Sequence, residues 1–343
     1  WKARACFVSA WRPPVRGAER AAPRLMPTLL LLGLFACAAM GLSIATGSLH
    51  INLAQLLAVL LGDGEPLHRT LIFELRLPRS LAAFATGGLL AVAGALMQVL
   101  LRNPLADPYV LGLSGGAAVG ALSAMLAGLG SAVVSGSAFV GAIVSAVTVF
   151  TLAHGSGSWT PTRLLLTGVV IAAGWGAVVT FMLAIAPTEN LPGMLFWLMG
   201  DLAYARSPWP ALIALSLVSL LLIPLGRSLN VLARGPLQAA ALGVAVKPLE
   251  WGIYIAASLL TAMAVTTAGS IGFVGLVVPH LLRLVLGNDQ RLILPACALA
   301  GGTLLTLADT LARTIIAPEQ LPVGVITALL GVPSFLFLLY RSR

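Results

Sequence analysis

Long apolar stretches separated by short polar ones run through the chain, and this pattern predicts an all-α protein that crosses a membrane many times. Residues 80–101 contain no Asp, Glu, Lys or Arg, and a helix of that length rises about 33 Å, roughly the thickness of a bilayer core. The span at 271–286 is short and contains Pro279, which we expect to break it, so a re-entrant segment is the alternative there. We expect ten spans, at about residues 25–46, 80–101, 110–129, 133–153, 164–186, 208–225, 251–267, 271–286, 292–311 and 323–340.

Composition agrees with a membrane protein and argues against other classes. The chain is 59% hydrophobic and 9% charged, which is far more apolar than a soluble core requires. Its net charge of +9 is dispersed between the apolar stretches, whereas nucleic-acid-binding proteins concentrate basic residues on one face. Cys6, Cys37 and Cys297 are far apart and the four histidines lack ligand spacing, so we predict no disulfide framework, no metal site and no bound cofactor.

The distribution of basic residues predicts the orientation. Residues 1–24 carry six Lys or Arg against one acid, and we interpret them as a disordered cytoplasmic arm ahead of a transmembrane domain at 25–343. A cleaved signal peptide is less favoured because the first apolar run is too long. Ten spans place both termini in the cytoplasm, with fifteen of the twenty Lys and Arg residues on that side. An acidic partner protein would account for the five outside, which are Arg69, Arg76, Arg79, Arg206 and Arg313.

Motifs that carry chemistry are scarce, and several kinds of transport protein stay open. No Gly-Lys dipeptide occurs, so the loop that cradles ATP phosphates is absent and we predict no ATP hydrolysis by this chain itself. It is a channel, an ion-coupled transporter or the membrane half of a pump. Ion coupling usually requires ionisable residues near the bilayer centre, and the second to fifth spans have none apart from Arg163 at one end. Asp309 and Arg313 are four residues apart, so we expect them to pair.

An intramembrane serine protease is a further alternative. The sequence Gly112-Leu-Ser-Gly115 matches the Gly-x-Ser-Gly pattern of such enzymes, and the serine would need His154 or His280 as its base. In a chain with 36 glycines this match is expected by chance. Close packing of helices is the favoured interpretation.

Polar breaks between spans predict the moving parts. Pro104 lacks a backbone N–H and pushes Asn103 out of helical geometry, so we expect Leu105 on a short stiff loop that acts as a gate. The glycines and Pro279 within 269–283 predict a hinge near the cytoplasmic face. Residues 227–248 are polar for this chain, and we expect one or two short helices there.

Ten short segments occur in a fixed order from about residue 25 to the end of the chain. They are Arg76-Leu-Pro-Arg79, Gly94-Ala-Leu-Met-Gln98, Asn103-Pro-Leu-Ala-Asp-Pro108, Gly112-Leu-Ser-Gly-Gly116, Thr162-Arg-Leu-Leu-Leu166, Phe196-Trp-Leu-Met-Gly200, Gly272-Phe-Val-Gly-Leu-Val-Val-Pro-His280, Leu307-Ala-Asp-Thr-Leu-Ala-Arg313, Glu319-Gln-Leu-Pro-Val-Gly324 and Thr327-Ala-Leu-Leu-Gly331. As a set they resemble the permease subunits of ABC importers for iron chelates, haem and cobalamin, the FecCD-type family. The resemblance implies the architecture of a type II ABC importer permease in a bacterial inner membrane, with haem or a ferric siderophore ahead of cobalamin as the ligand.

The resemblance also implies partners and residue roles. A homodimer would enclose the pathway, two cytoplasmic ATPases would use ATP and magnesium, and a periplasmic binding protein would dock on Arg76, Arg79 and Arg313. The cytoplasmic gate would comprise Asn103, Pro104, Leu105, Thr160 and Pro161. The ATPase-coupling segment at 229–244 would include Leu229, Arg234, Gly235, Gln238, Ala241, Leu242 and Gly243. This segment departs from the family at Gly235-Pro236, where an acidic residue commonly lies next to the glycine.

Overall fold

The computed structural model describes residues 25–341 apart from 48–50, 52, 63, 156–159 and 206, and this part of the chain contains helices and no strands. The predicted arm at 1–24 lies outside the described residues. A π-helical turn, Leu71–Arg76, joins α3 to α4, and short 3-10 helices lie at Pro108–Leu111 and Leu202–Tyr204. The α-helices are α1 (Leu25–Ala45), α2 (Leu53–Leu61), α3 (Pro66–Thr70), α4 (Leu77–Leu100), α5 (Leu113–Leu126), α6 (Ser131–His154), α7 (Pro161–Ile185), α8 (Leu191–Met199), α9 (Trp209–Leu222), α10 (Gly226–Leu232), α11 (Pro236–Ala241), α12 (Val246–Ala268), α13 (Val274–Leu286), α14 (Gln290–Thr314) and α15 (Val323–Arg341).

Each of the ten predicted spans coincides with a helix. Among the described residues, six helices are long and apolar enough to cross a membrane. They are α1, α6, α7, α12, α14 and the continuous helix Pro66–Leu100, whose last part is α4. Helices α9 and α10 meet the same criterion together but are bent by 73°. Helices α5, α13 and α15 are apolar too but shorter than the six. The predicted fold class, an all-α polytopic membrane protein, is confirmed.

Helix α4 is the centre of the bundle because nearly every residue along it is buried. A Cβ atom on Gly87 would lie 2.2 Å from the carbonyl oxygen of Gly301 in α14, and one on Gly94 would lie 1.8 Å from that of Gly275 in α13. Such backbone contacts through small residues replace the hydrophobic drive that lipid does not supply. Helix α4 therefore fixes the positions of α13 and α14, and its 24 residues separate its two ends by about 36 Å.

Helices α1 and α7 show the opposite burial pattern. In α1 the buried residues are Ala36, Ala39 and Ser43. In α7 the side chains of Val170 and Phe181 are 69% and 63% exposed. Apolar side chains this exposed need lipid or another protein surface around them, so these helices form the outside of the single chain.

The expectation that Pro279 breaks its helix is wrong. Helix α13 continues through Pro279, because a transmembrane helix tolerates a proline where neighbouring groups compensate for the lost hydrogen bond. The backbone leaves helical geometry earlier, at residues 269–273, where Gly269 has a φ of 69° and Phe273 a φ of 70°. These left-handed conformations end α12 and start α13. The non-helical part of the predicted hinge is therefore the segment 269–273, which lies at the opposite end of α13 from Arg283 and not at the cytoplasmic end where the hinge was predicted.

Candidate functional site

The three arginines predicted to dock a partner lie together where α1 ends, α4 begins and α14 ends. The side chain of Asp309 in α14 is fully buried between two of them. Nη2 of Arg79 lies 2.9 Å from Oδ1 of Asp309, and Nε of Arg313 lies 3.0 Å from Oδ2. The predicted pairing of Asp309 with Arg313 is thus confirmed. We call Arg76, Arg79, Arg313, Asp309 and Asp201 the arginine cluster.

Two of these arginines hold the end of α1. Nη1 of Arg76 donates to the carbonyl oxygens of Ile44 and Ala45 at 2.8 and 3.1 Å. Nη2 of Arg313 donates to Oγ of Ser43 at 2.9 Å. The last carbonyls of a helix lack partners within the helix and carry partial negative charge. The guanidinium groups of Arg76 and Arg313 supply both the donors and the compensating charge, so they fasten an otherwise exposed helix to α4 and α14.

Arg79 has two further contacts, both with residues on loops. Its Nη1 donates to Oε1 of Gln320 at 2.8 Å, and its Nη2 lies 3.9 Å from Oδ1 of Asp201. The Asp201 carboxylate also accepts the N–H of Ala203 at 2.9 Å. Burial raises the pKa of Asp201, and the Ala203 N–H and Arg79 oppose that effect.

Taken together, the cluster sets three guanidinium groups against two carboxylates and keeps one positive charge in excess. The excess agrees with attraction of an acidic partner, but the arginines are largely engaged inside the chain. Sequence reasoning named all three arginines and missed Asp201, Gln320 and Ser43 as their partners. The scarcity of charge in this chain is the one feature of the sequence that could have singled out Asp201.

The predicted gate loop lies at the other end of α4. After Leu100 the chain turns, with Arg102 at a φ of 49°. Oδ1 of Asn103 accepts the N–H of Leu105 at 2.9 Å, which closes a tight turn through Pro104. The Leu105 side chain is exposed. The structure thus has the predicted short non-helical loop with an apolar tip, and its role as a gate stays a prediction.

The second predicted gate element, Thr160-Pro161, forms the beginning of α7. Oγ1 of Thr160 accepts the N–H of Arg163 at 3.2 Å, and Pro161 occupies the first position of the helix. These residues therefore cap the helix. Within the part of the chain that the structure describes, no hydrogen bond joins them to the gate loop.

The predicted coupling segment forms two short helices, α10 and α11, as expected. Leu229 is buried, and Asn230 anchors the segment to the start of α14. Its Nδ2 donates to Oδ1 of Asp289 at 2.7 Å, and its Oδ1 accepts the N–H of Gln290 at 2.7 Å. Sequence reasoning missed this anchor because Asn230 is about sixty positions away from both of its partners in the chain.

The tip of the coupling segment is open. The side chains of Leu237 and Leu242 are 86% and 71% exposed. Gly235 has a φ of 130° and Gly243 a φ of 79°, conformations that strain any other residue. The remaining predicted coupling residues, Arg234, Gln238 and Ala241, are exposed as well. An anchored segment with unpartnered leucines is a surface that a second protein can cover.

The residues do not support a protease. Ser114 lies in the first turn of α5, and among the described residues no hydrogen bond joins it to His154 or His280. The imidazole of His154 is stacked on Phe150 at 5.5 Å between ring centroids. The described residues also contain no group of three potential metal ligands.

The helical bundle carries a charge cluster at one end of α4 and an exposed segment at the other, an arrangement that suits a polytopic membrane protein. The chain belongs to the FecCD transport family, whose pattern matches residues 32–341. It is 41% identical over 337 residues to the hemin transport system permease protein HmuU of Yersinia pestis, covering 94% of this chain and 98% of that protein. It is 36% identical over 321 residues to the vitamin B12 import system permease protein BtuC of Shigella boydii, covering 92% of this chain and 95% of that protein.

A solved structure agrees with this family. A metal-chelate type ABC transporter in an inward-facing conformation matches with a TM-score of 0.82 and 32% sequence identity, covering 92% of this chain and 99% of that chain. The chain is therefore the permease subunit of an ABC importer, with the type II architecture that its sequence resembles.

Proposed function

We propose that this permease carries a large iron-bearing or tetrapyrrole ligand from the periplasm to the cytoplasm across a bacterial inner membrane. The candidates are haem, a ferric siderophore and cobalamin, with the first two ahead. Support comes from the hemin and vitamin B12 permeases among its relatives and from the likeness to a metal-chelate transporter.

The working unit in this proposal is a complex. Two copies of the chain enclose the pathway, two cytoplasmic ATPases hydrolyse ATP with magnesium, and a periplasmic binding protein delivers the ligand. Both termini are cytoplasmic. The absence of a Gly-Lys dipeptide supports a separate ATPase, and the exposed apolar side chains of α7 supply surface for lipid and a second subunit.

The observation that carries the proposal is the coupling segment. Asn230 anchors it to α14, while Leu237 and Leu242 project into the surroundings without protein cover. A movement of an ATPase that covers these leucines would reach α14 through that anchor. A channel or an ion-coupled transporter has no need of such a segment.

The test is reconstitution with the ATPase and the binding protein in liposomes. ATP should drive uptake of one of the three candidate ligands, and Gly243→Asp should reduce uptake about tenfold or more because it strains the turn and charges an apolar contact. Gly128→Asp is the control, since Gly128 also has positive φ and open space around it but lies in the turn between α5 and α6. Uptake driven by an ion gradient without ATP would favour the ion-coupled alternative, and full uptake by Gly243→Asp would remove the coupling role.

The gate is tested separately by crosslinking. In a chain without Cys6 and Cys37, Leu105→Cys should form a disulfide between two subunits in the resting state, since the proposed plug brings the two loops together on the dimer axis. The crosslink should stop transport and leave binding-protein docking intact. If Leu105→Cys never crosslinks in any nucleotide state while Thr160→Cys does, Leu105 is not the plug.

A further inference from the structure

A continuous series of contacts links the arginine cluster to the gate loop, although the two lie at opposite ends of α4. It starts where Arg79 meets Asp201, at 3.9 Å. Asp201 directly follows Gly200, which ends α8 with a φ of 78°. The first step therefore joins a charge at the cluster to the joint between α8 and the next 3-10 helix.

The second step joins this joint to the non-helical segment 269–273. A Cβ atom on Gly200 would lie 2.7 Å from both the Ile271 side chain and the Ser270 carbonyl oxygen. One on Gly269 would lie 2.3 Å from the carbonyl oxygen of Trp197 in α8. The two stretches of backbone are thus in direct contact at Gly200 and Gly269, where no Cβ atom of the glycine separates them and a displacement of one stretch presses on the other.

The third step leads from this segment to the gate loop. The buried N–H of Ile271 donates to the hydroxyl oxygen of Tyr109 at 3.1 Å. The N–H of Tyr109 donates in turn to Oδ1 of Asp107 at 2.7 Å, and Asp107 closes the loop that carries Leu105. A buried N–H outside regular secondary structure needs a hydrogen-bond acceptor. Here the acceptor is Tyr109, which follows the gate loop directly in the chain.

The joint at Gly200 and Asp201 also has room to move. A cavity of about 390 Å³ lies beside it, with Trp197, Asp201 and Gly269 in its walls. Two buried hydroxyl oxygens in the same walls, of Ser131 and Thr266, have no hydrogen-bond partner within the described part of the chain. The joint is therefore strongly coupled on the side of residues 269–273 and loosely packed on the other.

We propose that these contacts transmit docking to the gate, with Asp201 as the sensor and Tyr109 as the positioning residue that links the segment 269–273 to the gate loop. The transmission presupposes the proposed function, in which a binding protein docks at the arginine cluster. A carboxylate of the docked protein competes with Asp201 for Arg79. Asp201 then leaves Arg79, the joint shifts toward the cavity, and Ile271 and Tyr109 carry the shift to the gate loop.

The test measures ATPase activity of the whole complex in liposomes, with and without the binding protein. Asp201→Asn mimics docking and should raise the activity without binding protein about two- to fivefold, because it weakens one ion pair whose atoms are 3.9 Å apart. Tyr109→Phe should leave that activity unchanged and reduce the stimulation by binding protein about fivefold, because the Ile271 N–H loses its partner. In the double variant Asp201→Asn should have no effect, because the two residues act in series.

Tyr254→Phe is the matched control, because the buried hydroxyl of Tyr254 donates to the carbonyl oxygen of Ala146 at 2.7 Å, away from the transmission path. Equal stimulation of Tyr109→Phe and Tyr254→Phe, or an unchanged effect of Asp201→Asn in the double variant, overturns the inference. A wild-type complex that does not respond to the binding protein overturns the proposed function instead. Hydrogen exchange on the wild-type complex needs no variant: docking should speed exchange in residues 269–273, and unchanged exchange there also overturns the inference.

Discussion

The arginine cluster and the coupling segment lie at opposite ends of the molecule and differ in how their side chains are compensated within the chain. In the cluster, Asp309 is fully buried, and Arg79 and Arg313 compensate its charge within the chain. In the coupling segment, Leu237 and Leu242 are left exposed. A buried charge near a membrane needs a counter-charge within the chain itself. A small apolar surface in water is tolerated in the free protein and can be buried later by a partner.

The difference bears on the partner proposed for each end. At the coupling segment the proposed ATPase would add contacts where none exist, so its affinity would come from newly buried area. At the arginine cluster the proposed binding protein would have to replace internal contacts, so docking would exchange one ion pair for another and contribute little net energy. We therefore expect substitutions in the cluster to change stability and encounter rate, and substitutions in the coupling segment to change affinity.

The largest expected effect is the loss of the buried carboxylate. Asp309→Asn leaves Arg79 and Arg313 without their shared counter-charge, and breaking such a pair should destabilise the protein by about 3–5 kcal/mol. The measurement is thermal unfolding of the purified permease in detergent. Glu319→Gln is the control, because it removes an exposed carboxylate near the same end and should change stability by no more than about 0.5 kcal/mol. Equal unfolding temperatures for the two variants would mean that the cluster is not held by Asp309.

The coupling segment should show the reverse. Leu242→Asp places a charge on a leucine that is 71% exposed, so the stability of the permease should stay within about 0.5 kcal/mol of wild type. Affinity for the ATPase should fall about tenfold or more. The interface loses the apolar area that the leucine would bury, and burying an unpaired carboxylate there is unfavourable. The measurement is a binding titration of the ATPase to permease in nanodiscs. Leu129→Asp, in the exposed turn after α5, should bind normally, and normal binding by Leu242→Asp would place the interface elsewhere.

Contacts between residues close together in the chain were predictable from the sequence, whereas contacts between distant residues were not. Helical spacing is local, so the pairing of Asp309 with Arg313 was predictable from their separation of four positions. One or two short coupling helices were predictable from the length and polarity of residues 227–248. The pairing of Arg79 with Asp309 spans 230 positions, and only the packing of α4 against α14 brings these residues together.

Two further failures have a related cause. A proline usually ends a helix, but α13, which packs on α4 at Gly94 and Gly275, continues through Pro279. The hydrogen bond between Tyr109 and Ile271 joins residues 162 positions apart, and nothing in the local pattern marks either one. In both cases tertiary contacts decided a geometry that local propensity does not encode.

The smallest expected effect probes the charge that the cluster keeps in excess. Oε1 of Gln320 accepts from Nη1 of Arg79 at 2.8 Å on an exposed loop. Gln320→Glu keeps that contact and cancels the excess positive charge. Association with the binding protein should therefore slow about two- to fivefold at low salt, with little change in dissociation.

Stopped-flow or surface-plasmon measurements at two ionic strengths check this prediction. Glu319→Gln should shift the association rate in the opposite direction, because it removes a negative charge from the neighbouring position. At about 1 M salt, where charges are screened beyond roughly 3 Å, the variants and the wild type should converge. If Gln320→Glu and Glu319→Gln associate at the wild-type rate even at low salt, electrostatic attraction does not guide docking at this end. The arginines would then serve only to hold α1, α4 and α14 together.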